Sequence, residues 1–271
     1  MPAAPTGLLW IVVHYRSPRE TAALLASLAR QTAARGPSLH VRVVDHSGDA
    51  PPVPDGLDAA VWTPGQNLGY FGGAAWALDR WHAEHPGAPP AWVVVSNADL
   101  DLPDPDLVAR LLRTDHADEV LVVAPGVETG DGAPLNPFLR ARPSARSMRI
   151  KRRVVFSSRV TLNLWSLASR LRPRRPSAGP AGPIYAPHGA VVAFRHGYFA
   201  QGGSLRHTRF LYLEEIFVAE TVRRLQGQVV FDPTLRVRHR GHVSTGVWRF
   251  GETALHHLDA FADATRRYFS P

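Results

Sequence analysis

Val93-Val94-Val95-Ser96-Asn97-Ala98-Asp99-Leu100-Asp101 joins a run of β-branched residues to a cluster of carboxylates. The apolar run lacks the alternation of a half-exposed strand and reads as a buried one. Asp99 and Asp101 then stand at the carboxyl end of a rigid element, as hard oxygen ligands for a divalent cation and a phosphorylated ligand. The alternative is local. Asn97, Asp99 and Asp101 would turn the chain toward a helix behind Pro103, because Asx side chains favour turns and caps.

The flanking sequence repeats the theme. Leu8 to Val13 is another buried-strand run, and Ser17-Pro18-Arg19-Glu20 supplies an N-cap, a proline at the first helical position and early negative charge. The spacing predicts a helix to Gln31 with Leu24, Leu25 and Leu28 inward. Leu39 to Val44 is a strand ending at Asp45-His46-Ser47-Gly48-Asp49. Strand, helix, strand is a βαβ unit, which crosses over right-handed and binds ligands outside its carboxyl ends. Asp45 is therefore a candidate base or ribose contact, or else a turn-forming Asx residue.

After Pro51, Pro52 and Pro54 and a short strand near Ala60 to Thr63 comes Asn67-Leu68-Gly69-Tyr70-Phe71-Gly72-Gly73, opening a helix to Glu84. Its glycines permit close backbone approach, and the helix start offers N–H groups to an anion. The same spacing also serves an ordinary capping loop. A helix over Asp104–Arg113 and a strand over Val120–Ala124 follow, and strand character returns from Ile184 to Phe194. Glu214-Glu215 opens a helix to Leu225 stopped by Gly227. One of these carboxylates gains from the helix dipole, and its neighbour points elsewhere, free to face a cleft as a base. Short strands at Val229–Phe231 and Leu235–Val237 flank Asp232-Pro233, and a last helix covers Glu252–Tyr268. The order predicts an α/β fold with a mixed, mostly parallel central sheet flanked by helices.

At 271 residues and 45% hydrophobic content the chain can bury one sizeable α/β domain. It has no cysteine, which excludes disulfides, thiolate zinc sites and cysteine nucleophiles. Met1 to Gly7 has no basic region and Leu8 to Val13 is too short for a signal peptide or a span, so a cytoplasmic location is expected. The net charge of +8 is unevenly placed: 15 of the 31 Lys and Arg fall between Gly132 and Leu213, where there is no Asp or Glu. Within this stretch Val160, Leu164, Leu167, Ala168 and Leu171 share one helical face, and Arg159, Asn163, Ser166 and Arg170 share another. Arg140, Arg142, Arg146, Arg149, Lys151, Arg152 and Arg153 precede it, and Arg172-Pro173-Arg174-Arg175-Pro176 follows. Residues 140–175 read either as an interfacial segment on an anionic membrane surface or as a helix packed on the domain with a solvated arginine face. Nucleic acid is not an expected partner, because stacking aromatics in the insert are limited to Phe156 and Trp165.

Taken in order, Val44-Asp45-His46-Ser47-Gly48-Asp49, Asn67 through Gly73, Asn97-Ala98-Asp99, Phe210-Leu211-Tyr212-Leu213-Glu214-Glu215, and Pro233 through His239 with Gly241 and Ser244 resemble the motifs of family 2 glycosyltransferases with the GT-A fold, in their rhamnosyltransferase-like branch. The likeness covers residues 8–125 and 184–245, and residues 132–183 match no part of it. It implies a single domain over 1–271, with a nucleotide-sugar-binding half (8–125), a basic insert (132–183), an acceptor and catalytic half (184–245) and a C-terminal helix (252–269). The implied activity moves a sugar, with inversion, from a nucleotide diphosphate donor (dTDP-rhamnose-like or a UDP-sugar) to a hydroxyl of a glycan or lipid-linked acceptor in cell-surface polysaccharide synthesis. The family pattern makes Asp99 and His239 ligands of Mg2+ or Mn2+, Glu215 the base, and Glu214 its orienter or an acceptor contact. Asp45 would meet the nucleotide base, and Asn67, Gly69, Gly73, Asn97 and Asp99 would line the donor. His239 as a packed loop histidine is the alternative, and His188 and His242 are taken as structural or acceptor-side residues. The chain departs from the pattern at Glu215, where aspartate is common, at Ala75 for an asparagine, and at Phe217 for an acid. Such an enzyme would work in the cytosol or at the inner face of the cell membrane.

Overall fold

A computed structural model describes residues 4–35, 38–170, 178–241 and 252–270, and in it the apolar runs assemble into a nine-stranded sheet. Its strands are β1 (Leu8–His14), β2 (Leu39–Asp45), β3 (Ala59–Trp62), β4 (Trp92–Asn97), β5 (Leu100–Asp101), β6 (Val120–Thr129), β7 (Gly182–Ile184), β8 (Val191–Arg195) and β9 (Gln228–His239). The order is β3-β2-β1-β4-β8-β6-β9-β5, with β7 also on β9. β1 to β4 are parallel to one another where they pair, β8 runs antiparallel between β4 and β6, and β9 is parallel to β6. The helices are α1 (Pro18–Ala29), α2 (Tyr70–Glu84), α3 (Leu107–Arg113), α4 (Ala145–Val154), α5 (Arg159–Arg170), α6 (His196–Ala200), α7 (Glu214–Arg224) and α8 (Glu252–Tyr268).

Both faces of the sheet are covered, which is why its central strands are apolar at successive positions. Leu8, Trp10 and Val12 of β1 pack with Leu24, Leu25 and Leu28 of α1 and with α3. Leu9 and Ile11 point the other way, toward Phe71, Ala74 and Trp81 of α2 and Val218 and Val222 of α7. Trp10 Nε1 donates to Ser96 Oγ at 2.8 Å across β1 and β4, which satisfies a buried indole just before the acidic cluster. A third cluster unites Met148 of α4, Leu213 and Ile216 at the start of α7, and Ala260, Phe261 and Ala264 of α8.

Several elements differ from the sequence reading, and the strand expected from Ile184 to Phe194 is two, β7 and β8. The two short strands expected around Asp232-Pro233 are one strand, β9, whose pairing with β6 skips from Pro125↔Asp232 to Gly126↔Arg236. Three residues bulge there without ending the ladder. α4 and α6 were not expected. α4 is arginine-rich, capped by Ser144, whose hydroxyl accepts from Ser147 N–H, and buries only Met148. On α5 the anticipated apolar face is exposed at Val160, Leu164 and Leu167, and Leu162 is the buried residue. Leu171 to Pro176, His242 and Ser244 lie outside the described residues. Among the described residues no helix is long and apolar enough to cross a membrane.

Candidate active site

The register lines up the carboxyl ends. His14 of β1 stands beside Asp45 of β2, and Val13 beside Asn97 of β4. The two aspartates of the opening stretch part company beyond β4. Asp101 accepts from Ser27 Oγ at 3.1 Å and pairs with Arg240 at 3.4 Å, so it ties the loop to α1. Asp99 is buried and meets His239, the last residue of β9, with Oδ1 and Nε2 3.3 Å apart. Two ligands bound cis at about 2.1 Å to one octahedral ion lie about 3 Å apart, so this carboxylate and imidazole fit such an ion. His14, Asp45 and Asp49 also bring three ligand-type atoms within 4.8 Å. Those atoms are engaged: His14 bonds Thr21 Oγ1 at 2.7 Å and Asp49 at 2.9 Å, and Asp45 Oδ1 accepts from Ser47 and Gly48 N–H while Oδ2 accepts from Ala50 N–H. Burial pushes the Asp45 carboxyl up, but these backbone donors outweigh it and leave the group below its ordinary range.

Gly69, in the left-handed region at φ 75°, could carry no side chain, because a Cβ would fall 2.0 Å from Phe210 O. Its N–H donates to Asn67 Oδ1 at 2.9 Å. The loop before α2 is thus pressed on the loop before α7. Gly73, in the first turn of α2, faces the imidazole of His46, where a Cβ would lie 2.6 Å from Cε1. Tyr70 leaves the same turn toward β8 and donates its hydroxyl to Gly189 O at 2.7 Å. The N–H of Gly189 donates to Glu215 Oε1 at 3.3 Å. Desolvation raises the Tyr70 phenol well above its ordinary value, and the charges of Glu214, Glu215 and Asp99 raise it further. One phenol therefore feels all three carboxylates, which places Glu214, Glu215 and Asp99 around Tyr70.

The start of α7 is held in an unusual conformation. Tyr212 (φ 74°) and Leu213 (φ 62°) are both left-handed, a state that costs a side-chain-bearing residue about 1 kcal/mol or more. Glu214 Oε1 accepts from Tyr212 N–H at 2.9 Å, and His207 Nε2–H donates to Tyr212 O at 3.1 Å. Glu214 is buried. Burial, and then repulsion from Glu215, pushes its carboxyl up to about 8. On the opposite side, His188 Nδ1 accepts from Ala190 N–H at 3.1 Å, and its ring lies 6.2 Å from that of His239. Desolvation lowers its pKa to about 4, so the neutral ring carries its proton on Nε2. Its backbone N–H donates to Asn136 Oδ1 at 2.7 Å, and Asn136 Nδ2 donates to Pro125 O at 2.8 Å.

No family model matches the sequence. Over 170 residues the chain is 25% identical to N-acetylglucosaminyl-diphospho-decaprenol L-rhamnosyltransferase of Mycobacterium tuberculosis (strains CDC 1551 / Oshkosh and ATCC 25618 / H37Rv), covering 63% of this chain and 53% of that protein. The chain thus spans about half the length of the curated relatives it matches. Among solved structures it aligns with GalNAc-T7 with UDP, GalNAc and Mn2+ at TM-score 0.58 and 12% identity, over 98% of this chain and 49% of that one. It aligns with mannosyltransferase PcManGT from Pyrobaculum calidifontis, in complex with GDP-Man and Mn2+, at TM-score 0.53 and 17% identity, over 100% and 67% of the two chains. The chain has the GT-A glycosyltransferase fold.

On this GT-A framework the motif residues fall into two groups. Asp99, His239, Glu214 and Glu215 gather around Tyr70 and Gly189. Asp45 at the end of β2, Asn67 and Gly69 in the loop before α2, and Gly73 in its first turn are held in separate local contacts, with Asn67 and Gly69 bonded to each other. The N–H of Asn97, at the end of β4, donates to Ala190 O, just before β8, at 2.9 Å. Phe217, which replaces an acid of the family pattern, is packed away, with its ring stacked on His207 at 5.0 Å and edge-on to Phe71 at 6.3 Å. Ala75 is buried in α2. Sequence reading missed Tyr70, Gly189 and Asn136 as parts of the site. For Tyr70 the available signal was a phenol directly after the helix-capping glycine.

Proposed function

We propose that this GT-A chain is an inverting glycosyltransferase that moves a sugar from a nucleotide diphosphate, dTDP-rhamnose-like or a UDP-sugar, to a hydroxyl of a glycan or lipid-linked acceptor in cell-surface polysaccharide synthesis. The observation that carries the proposal is the Gly189 peptide. It is held by Tyr70 on one side and holds Glu215 on the other, in electrostatic reach of Asp99. An acceptor hydroxyl has a pKa far above 7, so a carboxylate must take its proton as the oxygen attacks the anomeric carbon. In this reading Glu215 is that base. Glu214, pushed up to about 8, remains protonated at neutral pH and orients the acceptor, since two adjacent carboxyls with separated pKa values divide the acid and base roles. Asp99 and His239 would hold Mg2+ or Mn2+, which when bound supplies positive charge to the departing diphosphate. His188 offers its Nε2–H beside them to an oxygen of the donor. Asp45 accepts four hydrogen bonds from its own loop, three at Oδ1 and one at Oδ2, so Oδ2 is the oxygen with capacity left for the nucleotide base. Asn67, Gly69, Gly73 and Asn97 shape the donor side. The enzyme would work in the cytosol or at the inner membrane face.

The test is a thermal-shift panel of UDP-, GDP- and dTDP-sugars with and without Mn2+, followed by donor turnover. One nucleotide should raise the melting temperature, and more so with Mn2+. Glu215→Ala should keep that shift while turnover drops by roughly 10²- to 10⁴-fold. Equal turnover by both proteins removes Glu215 as base. The packing of Phe217 against His207 and Phe71 favours one second reading, a nucleotide-sugar or anionic-lipid binding protein with a weakened site. Donor binding without metal-dependent turnover selects it.

A further inference from the structure

Nine large apolar side chains are exposed among the described residues, and seven of them lie on α4, α5 and α8. On α4 they are Ile150 and Val154, one turn apart. On α5 Val160, Leu164 and Leu167 run along one face with Trp165 beside them, and Leu255 opens α8. At about 100° per residue Ile150 and Val154 lie on the far side of α4 from Met148, and Val160, Leu164 and Leu167 lie roughly opposite Leu162 on α5. Met148 and Leu162 are the side chains by which the two helices bury themselves, while Trp165 flanks Leu162. The helices are therefore anchored by one face and present a second apolar face outward. A monomeric soluble protein seldom gathers its exposed apolar surface in one place without a use for it.

The charges complete the pattern. Between α4 and α8 runs a groove of about 880 Å³, lined by Arg149, Arg152 and Arg153 on one side and by Phe156, Leu255 and Leu258 beneath and opposite. Its acidic residue, Asp259, is already taken by Arg209 at 2.7 Å. Arg146, Arg149, Lys151, Arg152, Arg153 and Arg159 have no acidic partner among the described residues, and residues 132–213 contain no acid at all. A face that is apolar at its surface and cationic in its groove complements an anionic bilayer, with acyl chains against the leucines and lipid phosphates against the arginines. A second copy of the chain is a poorer occupant, because self-apposition would set these arginines against one another.

We infer that α4, α5 and the start of α8 form a docking surface for an anionic membrane, with the arginine groove as its lipid-phosphate site. α4 and α8 share an apolar cluster with Leu213 and Ile216, which flank Glu214 and Glu215, so the docking surface and the start of α7 belong to one packed unit. If the proposed function holds, the acceptor hydroxyl then belongs to a membrane-borne molecule; the docking itself does not depend on that reading.

Vesicle flotation tests it, using phosphatidylcholine alone and phosphatidylcholine with phosphatidylglycerol, next to an oligonucleotide retention assay and sedimentation without lipid. The intact protein should float with anionic vesicles only. Arg152→Gln with Arg153→Gln should weaken partitioning by roughly 25-fold, about fivefold for each cation lost near a charged surface. Leu164→Ser with Leu167→Ser should weaken it by roughly tenfold, and these exposed changes should leave the melting temperature and donor-induced thermal shift unaltered. Equal affinity for neutral and anionic vesicles, binding that neither variant weakens, oligonucleotide retention without flotation, or a dimer that Leu164→Ser disperses would overturn the inference. Failure of the donor thermal shift with flotation intact would count against the proposed function alone.

Discussion

Gly189 shapes the candidate site through its lack of a side chain. A Cβ there would lie 2.9 Å from Glu215 Oε1, while its peptide bonds both Glu215 and Tyr70. Its φ lies outside the left-handed region, so the backbone accepts alanine, and the atom displaced is the end of a flexible side chain. Gly189→Ala should fold and shift the Glu215 carboxylate. Turnover is expected to fall about 10²-fold, the usual penalty for a misplaced catalytic group, with the donor-induced thermal shift retained. Unchanged turnover would mean that the position of Glu215 does not matter. Asp99, His239, Glu214 and Glu215 were legible in the sequence because each belongs to a short motif. The Tyr70–Gly189 bond was not, since it joins positions 119 apart and no local pattern records it.

At the scale of elements, legibility followed periodicity. β1, β2, β4 and α2 were read closely because they bury several consecutive or regularly spaced residues, whereas α4 has one buried side chain among cations and offers no apolar period to find. β9 looked broken because proline and aspartate signal a turn, but the bulge opposite Gly126 absorbs them. The insert is also tied down by a contact that sequence could not reveal. Arg142 Nε donates to Glu220 Oε1 of α7 at 2.6 Å, Tyr185 donates to the same oxygen at 2.7 Å, and the Arg142 guanidinium lies over the Phe269 ring at 4.4 Å. Glu220→Ala leaves a half-buried guanidinium and a desolvated phenol without their acceptor. A loss of about 2 kcal/mol is expected, between the values for surface and buried pairs. Limited proteolysis should cut the arginine-rich insert faster in this variant, and an unaltered cleavage pattern would show that the insert is held by α8 alone.

For the whole molecule, buried titrating groups set opposing slopes of stability against pH. His188 and His207 are both lowered to about 4 by desolvation. Unfolding frees them to bind protons from an ordinary value near 6.5, so stability is lost as pH falls from 6.5 through 4. Asp263 adds to this limb at lower pH: burial pushes its carboxyl up, but Arg209 and Arg267 hold it near 2, and stability is lost as it protonates in the folded state. Glu214 works in the other direction. Its folded pKa of about 8 stands above the ordinary 4.5, so the folded state binds the extra proton and stability is lost as pH rises from 4.5 through 8. Between 4.5 and 6.5 two imidazoles oppose one carboxyl and the net slope is upward; above 6.5 the carboxyl acts alone and the slope is downward. Thermal unfolding across this range should therefore peak near neutrality on the acid side. Glu214→Gln preserves an acceptor for Tyr212 N–H and removes the titration, so it should raise the melting temperature at pH 8 by several degrees, while leaving the limb below 4.5 in place. An alkaline limb identical in both proteins would show that Glu214 is ionised in the folded state, and the division of roles between the two glutamates would fail with it.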